Sequence, residues 1–305
     1  MISIVVCTHN RWASLTRTLA SLASQVSPPG GLEIVVIDNG STDETRERLA
    51  SVTCGPHPVR AVREPRLGQS HARNRGIEAA RGDWILFTDD DVLVDTQWAV
   101  RLTDGLQALG MSAGGGRVLP DWPERVPRWV ARDGPLLERI AFVAFMPPGP
   151  ARGLGGEDAP PVGCNMALHR RLVCDAETFS TRLGHQGKRL VGGEDTAFFA
   201  RLSAAGIPFG YIPDAVVHHP VEPERLSLAY LLRRRFWEGY GTAQSGGFAG
   251  RRRWLGIPLT IPRELGRSLG HCALATLQGD WPAAAHGLGG VFNRLGCLRG
   301  LVRSS

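Results

Sequence analysis

The chain has almost no lysine. Lys188 is the single one among 35 basic residues, so its positive charge is nearly all arginine. With abundant Ala, Gly and Pro, this bias reflects a GC-rich coding sequence rather than a function. Cysteine is sparse. Cys7, Cys54, Cys164, Cys174, Cys272 and Cys297 form no C-x-x-C pair and show no ligand-like spacing, so they read as reduced thiols of a cytosolic protein. Long apolar runs are missing too. Leu269 to Val291 is broken by Gln278, Asp280 and Pro282, which argues against a membrane span. The chain starts directly with β-forming residues, so no signal peptide is expected. No nucleic-acid-binding motif accompanies the arginines, and nucleic acid is not an expected partner.

A length of 305 residues, 43% hydrophobic and 21% charged, suits one large α/β domain with an appendage. The net charge of +6 is uneven. Residues 224–305 hold twelve arginines against four acids, a balance of +8, and residues 1–223 carry −2. An anionic surface would therefore meet the tail. The expected division is a catalytic domain over 1–223 and a basic, amphipathic helical extension over 224–305.

The most telling stretch is DWILFTDDD, 83–91. Trp84 to Phe87 reads as a buried strand that delivers Asp89, Asp90 and Asp91 at its carboxyl end, where open α/β sheets place ligands. Side chains alternate along an extended chain, so Asp89 and Asp91 share a direction and Asp90 opposes them. Two neighbouring carboxylates repel unless a cation joins them, and Mg²⁺ or Mn²⁺ suits such oxygen donors. An exposed acidic turn is the competing reading.

Upstream, ISIVVC (2–7) reads as the first strand. THNR then leads into a helix from Trp12 through Leu22, and Thr8, Asn10 and Arg11 occupy a junction suited to a nucleotide. EIVVID (33–38) is a second buried strand ending in Asp38 and Asn39, with Ser41 or Thr42 as the next helix cap. Val59 to Arg63 is a third strand. GQSHARNRG (68–76) opens a helix capped by Ser70, with Arg73 inward and Arg75 outward. Repeated strand–helix alternation predicts a parallel sheet with helices on both faces.

Residues 120–161, with Trp122 and Trp129, form a long irregular segment of the kind used as a lid or substrate wall. Val162 to Leu168 returns to strand character. Gly192 and Gly193 precede a helix opened by Glu194 and Asp195, and AVVHHP (215–220) sets His218 and His219 at a strand end. Either histidine is a candidate metal ligand, although a structural role is the commoner one for a histidine. In the tail, Leu226 to Trp237 places leucines at helical spacing beside Arg233, Arg234 and Arg235. RRRW (251–254) and a Gly/Pro-interrupted amphipathic region follow, and two readings stand for this basic tail: a helix on an anionic bilayer surface, or a bundle packed against the catalytic domain with solvated arginines.

In that order, VVCTHNR, EIVVIDNGSTDET, GQSHARNRG, FTDDDV, GCNMAL, GGEDTAFFARLSAAG and AVVHHP resemble the family 2 glycosyltransferases, inverting enzymes of the GT-A fold. The resemblance covers about residues 1–240. It implies a Rossmann-like, mixed and mainly parallel sheet flanked by helices. It also implies that Thr8, Asp38 and their neighbours Asn10, Arg11 and Asn39 face the nucleotide, with Arg73 as support. Asp89 to Asp91 would be the Asp-x-Asp motif, with its register between Asp90 and Asp91 open. Asp195 would be the general base, Glu194 its neighbour, and His218 or His219 a late metal or diphosphate contact.

The function so implied is transfer of a sugar from a UDP-, GDP- or dTDP-linked donor, assisted by Mn²⁺ or Mg²⁺. The acceptor would be a hydroxyl on a saccharide, a lipid-linked or a small molecule. The expected site of action is the cytoplasm, with the tail as the part that could touch its membrane. A sugar nucleotidyltransferase is one rival, but THNRW lacks the Gly-rich basic loop that such an enzyme needs after its first strand. A non-catalytic membrane-associated scaffold is the other.

Overall fold

The computed structural model describes residues 1–131, 149–155, 158–173, 178–181, 183, 193–244, 248, 252–254 and 256–303. Gly192, much of the 120–161 segment and part of the 180–193 stretch lie outside them.

The sheet grows from runs of β-branched residues. β1 (Ile2–Thr8), β2 (Leu32–Asp38) and β4 (Trp84–Asp89) are buried almost throughout, as expected for strands covered on both faces. With β3 (Val59–Arg63) they form a parallel run in the order β3-β2-β1-β4. α1 (Trp12–Ala23), α2 (Thr45–Leu49) and α3 (Gln69–Ala79) supply the connections. Register fixes what gathers at the carboxyl edge. Thr8 lies opposite Asp38, and Cys7 lies opposite Asp89.

Beyond β4 the sheet is mixed. β8 (Met166–His169) runs antiparallel to both β4 and β6 (Ala113–Asp121). β9 (Phe209–Pro220) pairs in parallel with β6 and carries β5 (Leu93–Val94) and β7 (Arg152–Leu154) antiparallel. The nine strands thus combine three parallel ladders on the first half with antiparallel ladders and the parallel β6–β9 pair on the second. α4 (Trp98–Ala108) follows β5, and α5 (Glu194–Ala204) precedes β9. The core beneath the sheet joins Val5, Ile85, Phe87 and Met166 to Phe179, Phe198 and Phe199.

Local expectations fared unevenly. The first three strands and α1 fall where expected. The cap of α3 is Gly68, whose φ of 137° favours glycine, and Ser70 is instead buried, donating to the Leu183 carbonyl at 2.8 Å. Neither Ser41 nor Thr42 caps α2, which starts at Thr45. Residues 162–165 form a turn, so only 166–169 of the expected 162–168 strand pairs.

The chain divides into two compact units. One comprises residues 1–121, the described residues of 145–187, and 194–220. The other comprises 221–303 with residues 122–131 and Gly193. In the second unit, α6 (Leu228–Gln244), α7 (Thr260–Leu277) and α8 (Trp281–Arg303) form the helical extension. Gly239 and Gly296 let α6 and α8 touch backbone to backbone, since a Cβ at either would collide with the Asn293 or Phe236 carbonyl. Trp122 and Trp129 pack against a cluster of Val130, Val221, Leu226 and Leu231.

Candidate active site

β4 ends at Asp89, and in the turn that follows Asp90 and Asp91 still diverge as successive residues. Asp89 and Asp91 offer oxygens that lie, with a nitrogen of His219, within 4.8 Å of one another. Asp90 points elsewhere, accepting from Thr8 Oγ1 at 2.7 Å and meeting Arg11 Nη1 at 3.0 Å. The other arm of Arg11, Nη2, reaches Asp91 Oδ2 at 2.8 Å. Burial pushes the Asp90 carboxyl up to about 7. Arg11 opposes that rise, and Asp91 adds to it. Asp89 is raised as well, chiefly by burial, with Arg73 pulling it back and Asp91 adding to the rise. A half-buried carboxylate, a buried one and a buried imidazole at this spacing fit a hard divalent ion.

The histidine doublet separates for the same geometric reason. Neighbouring strand residues face opposite sides. His219 is buried, with Nε2 3.7 Å from Asp91 Oδ1. His218 faces the other way and meets Asp95 at 3.2 Å, so it does not join the carboxylate cluster. The two-residue strand β5 sets this arrangement. It follows the acidic triplet directly and pairs Leu93 with His218.

A second group of charges is built around α3. Arg73 is buried, as its inward expectation required, and Arg75 is outside, paired with Glu78. Arg73 Nη1 binds Glu194 Oε1 at 2.6 Å, and Nη2 lies 3.5 Å from Asp89 Oδ1. One guanidinium therefore spans from the end of β4 to the first turn of α5. Burial pushes Glu194 up to about 7, against the pull of Arg73 and with a further push from Asp195. Among the described residues, its Oε2 is buried without a hydrogen-bond partner. Asp195 accepts from the Gly163 amide at 2.8 Å and from the Thr196 amide at 2.7 Å. The Cys164 thiol, raised far above its usual range by burial, also senses Asp89, Asp91, Arg73 and Asp195. The triplet and the Glu-Asp pair thus belong to one electrostatic neighbourhood within the first unit.

The β1–β2 edge is more structural than its sequence suggested. Asn10 has φ 54° and accepts from the amides of Thr42 and Asp43 at 2.7 and 3.2 Å. Asn39 donates to the carbonyls of Glu64 and Arg66 and accepts from the Gly68 amide at 2.9 Å. Both amides clamp loops. Asp38 takes the Ser41 amide on Oδ1 at 2.8 Å, and its Oδ2 is a buried acceptor without a partner among the described residues. Of this group, Asp38 keeps a lone pair for a ligand.

Two participants were not singled out in the sequence. The Gly163 amide holds Asp195. Asn165 accepts from Trp98 Nε1 at 2.8 Å and donates to the carbonyls of Arg117 and Ala215, tying α4, β6 and β9 together. GCNMAL was visible only as a strand, and its polar contacts span 32 to 67 residues.

Comparison with known proteins sharpens this picture. The family model "Glycosyl transferase family 2" matches residues 3–173. The chain is 32% identical over 288 residues to the succinoglycan biosynthesis protein ExoM of Rhizobium meliloti, covering 93% of this chain and 86% of that protein. It is 26% identical over 247 residues to a glucosyl-dolichyl phosphate glucuronosyltransferase of Haloferax volcanii, covering 78% and 75%. Among solved structures, S. aureus TarS is similar with a TM-score of 0.49 at 17% identity, over 93% of this chain and 54% of that one.

Proposed function

The chain belongs to glycosyl transferase family 2, and on that premise we propose that it is an inverting enzyme acting by metal-assisted single displacement. Membership of a glycosyltransferase family sets aside the scaffold and the nucleotidyltransferase. The proposed donor is a nucleoside-diphosphate sugar (UDP-, GDP- or dTDP-linked). The proposed acceptor is a hydroxyl of a saccharide, a lipid-linked or a small molecule. Similarity to a succinoglycan biosynthesis protein favours polysaccharide assembly. Cytoplasmic action is supported by the free cysteines among the described residues.

Each residue has a role that follows from its place. Asp38 is the acceptor for a nucleoside group, next to Thr8 at the β1–β2 edge. Asp89, Asp91 and His219 would hold Mn²⁺ or Mg²⁺. Such an ion, when bound, supplies positive charge for the departing diphosphate. Arg11 holds Asp90 and Asp91 in place, and Arg73 holds Asp89 against Glu194. Asp195 removes the acceptor proton as the hydroxyl attacks. Its two amide donors fix its orientation, and a single base with no covalent nucleophile gives inversion. Glu194, kept partly protonated by burial, limits negative charge beside that base.

The observation that carries the reading is the Arg73 bridge, with its arms on Asp89 and Glu194. The test is Asp195→Asn. Donor binding by calorimetry should persist while transfer falls by roughly 10²–10⁴-fold, the usual contribution of a positioned base. Transfer at the original rate would remove Asp195 from the mechanism.

A further inference from the structure

The sequence left open which helix of the basic tail would face a membrane, and α6 carries the run Arg233 to Arg235. Its charges are used internally. Arg234 and Arg235 both pair with Glu238, at 3.1 and 2.8 Å, Arg233 lies over the Tyr230 ring, and Leu231 is buried. The exposed apolar surface is elsewhere. Of thirteen large apolar side chains exposed among the described residues, seven lie between Trp254 and Trp281. That concentration singles out α7 and its two flanks.

Helix geometry places these groups on one face. Arg263, Arg267, Gly270, Leu274 and Leu277 follow one another at three- and four-residue steps, and all are exposed. Leu269 and Ala273 run alongside and are exposed too. Leu277 is 86% exposed, and Trp254, ahead of the helix, is 68% exposed. The opposite face is the packed one. Ile261 and Ala275 are buried, and α7 lies so close to α8 that a Cβ at Gly287 would sit 2.7 Å from the Cys272 amide nitrogen.

The charge on the outer face has one sign. Among the described residues, neither Arg263 nor Arg267 meets a carboxylate. Glu264 is engaged by Arg294 at 2.8 Å, and Asp280 caps α8 by accepting from the Ala283 amide at 3.0 Å. A row of leucines, tryptophans at both ends and arginines without acids is the chemistry of a helix lying in an anionic lipid interface. A twofold pair of copies would set those arginines against themselves with no acid to offset them. No described helix is long and apolar enough to cross the bilayer.

We infer that the outer face of α7, flanked by Trp254 and Trp281, docks the protein on an anionic phospholipid surface. This deepens the reading of a cytoplasmic glycosyltransferase by naming a partner and the residues that meet it. The test is co-sedimentation of the full chain with phosphatidylcholine vesicles, with and without phosphatidylglycerol. The wild-type chain should sediment with the anionic vesicles and release as salt rises. The pair Leu274→Glu and Leu277→Glu should lower partitioning by at least about tenfold. The pair Arg263→Ala and Arg267→Ala should abolish the preference for phosphatidylglycerol. Val26→Glu, at an exposed apolar residue of the other unit, should bind as wild type.

Equal binding by the leucine pair overturns the inference, as does failure of the wild-type chain to bind either vesicle. A dimer that the leucine pair splits, without vesicle binding, would assign the face to a second copy and overturn it too. Donor turnover measured in parallel keeps the two readings apart. Its absence in the wild-type chain would count against the enzymatic reading and leave the vesicle result standing.

Discussion

Replacing Arg73 by Met should expose how the carboxylates of the first unit are held. The guanidinium is buried and contacts Glu194 at 2.6 Å and Asp89 at 3.5 Å. Removing one partner of a buried ion pair typically destabilises by about 3–5 kcal/mol, because a charge is left uncompensated. At about 2–4 °C per kcal/mol for a unit of this size, the melting temperature should fall by roughly 10 °C at neutral pH.

The pH dependence is the sharper readout. Glu194 titrates in the folded state near 7, against an ordinary 4.5. The folded protein therefore binds more protons than the unfolded chain between those values, and this group's contribution to stability declines as pH rises through them. Without Arg73, Glu194 and Asp89 lose an opposing charge and rise further. The deficit of the variant should be small near pH 5.5, where protonation neutralises Glu194, and should grow towards pH 8. Urea melts at the two values measure it. Arg75→Met, which removes only an exposed pair with Glu78, should stay within about 0.5 kcal/mol of wild type at both. A deficit that is the same at pH 5.5 and 8 would refute the argument.

Further outcomes concern the cation cluster and its surroundings. His219→Ala should weaken Mn²⁺ binding, read by calorimetry with the nucleotide diphosphate present, by roughly 10–100-fold. His218→Ala should leave it unchanged, because His218 faces Asp95; equal effects would contradict the assignment. Gly163→Ala would drive a Cβ into the Arg73 guanidinium. It should destabilise by about 1–3 kcal/mol and slow transfer, and a variant as stable and active as wild type would show that the contact is slack.

The parallel half of the sheet was legible because its strands are short, uninterrupted β-branched runs, and their register carried Asp38 and Asp89 to one edge without further information. Arg73 was legible as inward-facing from helical spacing alone. The histidine doublet was half legible. Alternation says the two diverge, but only the pairing of Leu93 with His218 decides which one turns inward. Asn10 and Asn39 were legible as junction residues, but not the loop amides and carbonyls that they bind. Gly163 and Asn165 could not be read at all, since their partners come from distant elements. In the tail, spacing showed where helices lie but not that Glu238 would engage two arginines of α6.

The two-residue strand β5 carries a consequence for evolution within this scaffold. Only three residues separate the last position of β4 from β5, and both ends are stitched into the same sheet. The donors on that short bridge are set when the chain folds, so little ordering remains for a ligand to impose. Neighbouring loops can then drift in length and composition while the cluster of Asp89, Asp91 and His219 keeps its shape.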